Sequence, residues 1–133
     1  MYYFAYSSNL NHKQMAERCP GARPRFSAVL PNYKIAFSGW SRVWHGGVAS
    51  VQPSSGDKVM GGIYEITEKD LARLDKYEGY PTEYTRLNVK VYRDTGEAVE
   101  TITYIRPRQS EETKPSAAYL AVIRQGYHDW GLI

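Results

Sequence analysis

Two clusters of turn-forming residues, each set between runs in which apolar and polar side chains alternate, constrain this chain more than any other feature. Asp94-Thr95-Gly96-Glu97 separates Leu87, Val89 and Val91 from the run Val99 to Ile105, and Pro53-Ser54-Ser55-Gly56-Asp57 separates Gly47 to Gln52 from Lys58 to Ile66. A period of two places every second side chain on one face of a strand, and a short turn-rich break returns the chain antiparallel to itself. Both stretches therefore read as β-hairpins. Strands joined in this way favour an α+β fold, a small and mostly antiparallel curved sheet or β-barrel with flanking helices, over a doubly wound parallel sheet.

The remaining elements fit around the hairpins. Tyr2 to Tyr6 is nearly all apolar, which predicts a central strand buried on both faces. Asn11, with Gln14 three residues on, predicts a helix start, and Cys19-Pro20-Gly21 stops that helix. From Phe26 the pattern is that of a strand: Tyr33, Ile35 and Phe37 alternate with Lys34 and Ala36, and Pro31 marks an interruption or an edge. Thr67 with Asp70 has the form of a capping box, Leu71 and Leu74 supply an apolar stripe, and Gly79 ends the helix two residues before Pro81. Pro115 suits the first turn of a last helix, with Tyr119, Val122 and Ile123 on its apolar face and Gly126 at its end. In 133 residues there is no internal repeat and no linker long enough to divide the chain, so one domain spanning 1–133 is expected.

Composition excludes several classes. A lone cysteine cannot form an internal disulfide, which argues against a disulfide-stapled secreted scaffold and for a reducing, cytoplasmic location. Met1 to Tyr6 has no basic start and breaks into Ser7-Ser8-Asn9 before an export core could form, and no apolar run approaches the ~20 residues of a membrane helix. No membrane association is expected. The net charge of +3 is modest and the basic residues are scattered among acids, so no nucleic-acid partner is expected either. The sequence carries no signal for an oligomeric state. Phosphate-loop and glycine-rich dinucleotide patterns do not occur, and His12, His45, His128 and Cys19 lack the spacing of zinc ligands or of a nucleophile elbow.

Three places could carry chemistry. The loop Tyr6-Ser7-Ser8-Asn9-Leu10 joins a buried strand to a helix start, where unsatisfied N–H groups and the helix dipole favour an anion such as a carboxylate. Ordinary helix capping is the simpler reading of Ser-Ser-Asn. Glu78 stands at the C-terminal end of its helix, where the dipole disfavours a second negative charge; if partly buried it would have the raised pKa that suits a general base. A solvated glutamate at a frayed helix end is the simpler alternative there. Tyr119 belongs to a buried stripe but could turn its hydroxyl into a cavity. The glycines of Trp44-His45-Gly46-Gly47 could approach a ligand, or serve the backbone at a strand start.

Read together, these stretches point to a known family. Tyr3-Phe4-Ala5-Tyr6-Ser7-Ser8-Asn9-Leu10 resembles the Tyr-Gly-Ser-Asn-Leu loop of the gamma-glutamylcyclotransferases and their relatives, with Ser7 where that signature has glycine. Trp44-His45-Gly46-Gly47-Val48-Ala49, Ser55-Gly56-Asp57 and Leu74-Asp75-Lys76-Tyr77-Glu78-Gly79 follow in the order and approximate spacing of the family. Pro115-Ser116-Ala117-Ala118-Tyr119 is similar to the start of its C-terminal helix, so the resemblance covers nearly the whole chain. It implies a compact, mainly antiparallel barrel, a substrate loop at Tyr6 to Leu10, Glu78 as catalytic acid/base and Tyr119 as a cavity residue. The implied reaction needs no metal and no cofactor. In a small-molecule gamma-glutamyl substrate the free α-amine attacks its own γ-carbonyl, giving 5-oxoproline and releasing the amine beyond it. Alternatives are a cyclotransferase for gamma-glutamylamines such as ε-linked lysine isopeptides, a non-catalytic binder of small anionic metabolites, and an RNA-binding barrel that stacks bases on tyrosines.

Overall fold

The computed structural model describes residues 1–109 and 111–133. In chain order its elements are β1 (Tyr2–Ala5), α1 (His12–Arg18), β2 (Arg23–Ser41), β3 (Gly46–Glu65), α2 (Glu68–Glu78), β4 (Thr85–Tyr92), β5 (Ala98–Ile105) and α3 (Ala117–Asp129), with a 3₁₀ turn at Ser8–Leu10. The all-apolar start explains the place of β1, which lies between β3, antiparallel with Phe4 opposite Ile63, and β5, parallel through Tyr3 and Ile102. Its side chains divide between two buried clusters. Phe4 packs with Leu30, Val51, Ile63 and Val91, whereas Tyr3 and Ala5 pack with Leu10, Met15, Tyr64 and Leu74. The strands close a barrel in the order β1-β3-β2-β4-β5, in which the β1–β5 contact is parallel and the other pairings are antiparallel. The fold is therefore α+β, a closed barrel with flanking helices.

The hairpin expected at 53–57 is not formed. β3 runs unbroken from Gly46 to Glu65 beside β2, and the register steps from Pro53 to Lys58 on β3 while passing only Asn32 on β2. Gly56 takes φ 85° and Asn32 φ 64°, and the Gly56 N–H donates to Asn32 Oδ1 at 3.1 Å. Residues that permit a turn here make a large bulge, which bends the strand pair without reversing it. Pro31 does mark the interruption, because the shift falls between Pro31 and Tyr33. The chain reverses instead at 42–45, where His45 takes φ 58°, its N–H donates to Ser41 O at 2.7 Å and the Trp44 N–H donates to Ser41 Oγ at 3.1 Å. The second expected hairpin stands, with β4 and β5 paired from Thr85 opposite Ile105 to Tyr92 opposite Ala98.

The helix ends follow side-chain chemistry. Asn11 Oδ1 accepts from the Gln14 N–H at 3.0 Å to start α1. Thr67 and Asp70 exchange both bonds of a capping box, at 3.1 and 3.0 Å, and Gly79 at φ 66° ends α2 directly after Glu78. α3 departs from expectation at both ends. Its cap is Ser116, so Pro115 precedes the helix, and the helix continues past Gly126 to Asp129. Gly126 is there for closeness, since a Cβ on it would lie 2.6 Å from the Asn11 backbone nitrogen. The helix thereby packs directly against the Tyr6 to Leu10 loop. Among the described residues no helix is long and apolar enough to cross a membrane.

Candidate active site

The loop after β1 is held from behind. Asn9 O accepts from the Tyr64 hydroxyl at 2.7 Å, and Leu10 O accepts from Trp130 Nε1 at 2.8 Å. Leu10 itself does not line the cleft described below; its side chain is fully buried in the cluster with Met15 and Leu74, so it anchors the loop. Tyr6, Ser7, Ser8 and Asn9 do face a cleft of about 480 Å³, together with Glu78 and Tyr119. That volume falls within the roughly 300–1,000 Å³ of small-molecule sites. Inside the 3₁₀ turn the first backbone donor used is the Leu10 N–H, to Ser7 O at 3.0 Å, which leaves the Ser8 and Asn9 N–H groups without a partner in the turn.

Asn9 ties the loop to α1 and α2. Its amide nitrogen donates to the Tyr3 hydroxyl at 2.9 Å and to Glu78 Oε1 at 3.4 Å, while its oxygen accepts from Gln14 Nε2 at 3.2 Å and Arg18 Nη1 at 3.1 Å. Glu78 ends α2 because Leu74, one turn earlier, is fully buried and fixes the helix face, and because Gly79 turns the chain. The residue as a whole keeps partial exposure, but its carboxyl group is enclosed by the cleft. Burial pushes its pKa up to about 7, only partly offset by the nearby Arg18 cation. The helix end adds to the same direction. A carboxyl group of this kind can both take up and release a proton near neutrality.

Across the cleft, the Tyr119 oxygen accepts from the Ala49 N–H at 3.0 Å and lies 2.9 Å from Ser7 Oγ. With the Ala49 donor already directed at that oxygen, the phenolic proton is available to Ser7. Burial holds the phenol above its ordinary pKa, so it stays a neutral hydroxyl. Trp44 packs on the Tyr119 ring at 4.9 Å between centroids, and the Tyr84 hydroxyl donates to Ala49 O at 2.6 Å. Ser7 has φ −134°, outside the left-handed region, so serine is accommodated there without that strain. Gly46 and Gly47 are backbone devices: a Cβ on Gly47 would lie 2.3 Å from Thr113 O, and its N–H donates to Lys114 O at 3.0 Å.

Sequence reasoning missed Tyr3, Arg18, Tyr84 and Arg106, which come to the cleft from β1, α1, the segment before β4 and the end of β5. Only barrel closure brings these positions together, and no local spacing signals it. Cys19 and Asp70 lie elsewhere, with the buried thiol donating to Asp70 O at 3.5 Å. Among the described residues no group of three or more His, Cys, Asp or Glu side chains could hold a metal ion. Tyr3, Tyr6, Tyr64, Tyr104 and Tyr119 are buried, whereas Tyr77, Tyr80 and Tyr92 are exposed.

The same fold exists in known proteins. A solved structure titled gamma-glutamyl cyclotransferase superposes with a TM-score of 0.94 at 31% identity, covering 99% of this chain and 80% of its own. Human gamma-glutamylcyclotransferase is 33% identical over 98% of this chain and 71% of its own length, and the bovine protein matches over the same shares at 33%. The model of one enzyme family, gamma-glutamyl cyclotransferase, AIG2-like, matches residues 3–127, which takes in the loop, Glu78 and Tyr119. With the fold, the relatives and the family model in agreement, the chain belongs to the AIG2-like gamma-glutamyl cyclotransferase family.

Proposed function

We propose that this protein converts gamma-glutamyl amino acids or peptides to 5-oxoproline and a released amine, with Glu78 carrying the protons. The observation that supports this most is a carboxyl group with a pKa of about 7, enclosed in a cleft beside the Tyr6 to Asn9 loop. In the reaction the substrate's α-nitrogen bonds to its γ-carbonyl carbon, and the bond from that carbon to the distal nitrogen breaks. Two protons leave the attacking ammonium and two arrive on the departing nitrogen, so Glu78 begins and ends as a carboxylate. The backbone donors at Ser8 and Asn9 suit the oxyanion that develops on the carbonyl, and the loop holds the substrate's α-carboxylate. Because both reacting groups belong to one molecule, the cleft contributes mainly by selecting the folded conformer.

The test is mass-spectrometric detection of 5-oxoproline from gamma-glutamyl dipeptides beside the same compounds acetylated on the α-amine. Cyclisation requires product from the free amines and none from the acetylated ones. Release of the distal amine from an acetylated compound would mean hydrolysis and would overturn the assignment.

A further inference from the structure

The part of the cleft away from Glu78 is built differently. At the tip of the β2–β3 hairpin Trp40 is 69% and Val43 77% exposed, and both line the cleft. Free indole and isopropyl groups at a cleft mouth are unfavourable in water unless an apolar group covers them. Beside them stands Arg106. Its guanidinium reaches back to Gly39, where an added Cβ would lie 2.8 Å from Nη2, and its carbon sits 5.6 Å from the centre of the Tyr84 ring. Arg106 Nε is buried with no hydrogen-bond partner, and among the described residues the side chain has no carboxylate to pair with.

The two guanidinium groups of the cleft differ in this respect, and its third cation, Lys76, is an exposed ammonium. Arg18 donates to Asn9 Oδ1 at 3.1 Å and lies 4.8 Å from the centre of the Tyr77 ring, so its guanidinium is engaged by the protein. Arg18 is also the cation whose field reaches Glu78, whereas the field of Arg106 reaches Tyr84. Arg106 stands on the side of the cleft toward the hairpin, against Gly39. A half-buried guanidinium without a counter-ion is matched best by a carboxylate, which can meet its planar fork with two bonds. Trp40, Val43 and Arg106 line the same cleft, so a ligand carboxylate on Arg106 leaves the rest of the ligand in the space those two apolar side chains border.

We propose that the Trp40, Val43 and Arg106 face of the cleft receives the departing group and selects an α-amino acid with a bulky apolar side chain over a simple amine. Its carboxylate lies on Arg106 and its side chain against Trp40 and Val43. This rests on the cyclotransferase reading above, and it separates gamma-glutamyl amino acids from gamma-glutamylamines as the substrate class.

The experiment compares kcat/KM for 5-oxoproline release from γ-glutamyl-phenylalanine and from γ-glutamyl-phenethylamine, which keeps the ring and the scissile bond but lacks the carboxylate. Wild type should prefer the former by about tenfold or more, the scale of a charge-assisted hydrogen bond. Arg106→Met should collapse that ratio and Arg106→Lys should restore part of it. Trp40→Ala should lower the preference for γ-glutamyl-phenylalanine over γ-glutamyl-glycine by about fivefold. Equal wild-type efficiency on the phenylalanine and phenethylamine compounds overturns the proposal without any variant. So does a parallel loss on both compounds in Arg106→Met, which would place the γ-glutamyl half on that side chain. If the three compounds yield no 5-oxoproline while other gamma-glutamyl dipeptides do, the subsite proposal alone fails; if no gamma-glutamyl dipeptide yields it, the cyclotransferase reading fails and the subsite falls with it.

Discussion

Asn9 Nδ2 and Glu78 Oε1, 69 positions apart in sequence, lie 3.4 Å apart across the cleft. This contact couples the loop after β1 to the last residue of α2, and it leaves Glu78 with a hydrogen-bond donor but little water. Burial rather than a neighbouring charge therefore sets the proton affinity of the carboxyl group.

A stability test follows from that balance. Glu78 is raised from an ordinary 4.5 to about 7 in the folded protein, so the folded state binds its proton more tightly than the unfolded chain does. The stabilisation is complete below pH 4.5 and is lost as pH rises through 7. Relative to Glu78→Gln, wild type should lose up to about 3 kcal/mol between pH 4.5 and pH 8 in urea unfolding. A stability difference between the two proteins that does not change with pH would remove the raised proton affinity from the account.

Tyr119 and Ser7 should respond unequally to loss of their hydroxyls. Tyr119→Phe strands the buried Ala49 N–H, at a cost of about 1–3 kcal/mol. Ser7→Gly removes one partner of a hydroxyl that keeps its bond from Ala49, and should cost about 1 kcal/mol or less. Thermal denaturation of both variants checks the order; a larger loss in Ser7→Gly would show that the loop, not the Ala49 N–H of β3, holds the tyrosine hydroxyl.

Cys19 should be dispensable for turnover. Its thiol is fully buried, burial and then Asp70 push its pKa up to about 11, and it faces α2 rather than the cleft. Cys19→Ser should keep most of the wild-type kcat. A loss of more than about a hundredfold in a folded variant would indicate a nucleophilic thiolate.

The sequence was most legible where a local rule fixes a local structure. Thr67 and Asp70 specify the start of α2 and Gly79 its end, so the place of Glu78 could be read before the fold was known. The turn at 94–97 was equally plain, since Gly96 takes φ 87° between two alternating strands. Pro53 to Asp57 misled because turn chemistry specifies a local departure from the ladder but not whether the chain reverses there. That is decided by β2, which is long enough to pair with both halves of β3. Gly126 misled in a related way, as a glycine that ends a helix and one that admits a neighbouring backbone look the same in sequence. The Asn9 network and the Arg106 face were illegible because each joins elements that meet only when the barrel closes.

The proton carrier is the centre of this account, and Glu78→Gln tests it most directly. Glutamine keeps the size of the side chain and its reach toward Asn9 while removing the exchangeable proton. The measurement is 5-oxoproline turnover by wild type and Glu78→Gln, with circular dichroism for folding and calorimetric affinity for a slow gamma-glutamyl analogue. Wild-type kcat/KM should fall as pH drops below about 7. The folded variant should bind the analogue yet turn over about a hundredfold or more slowly. A folded Glu78→Gln protein with near wild-type turnover would contradict the account.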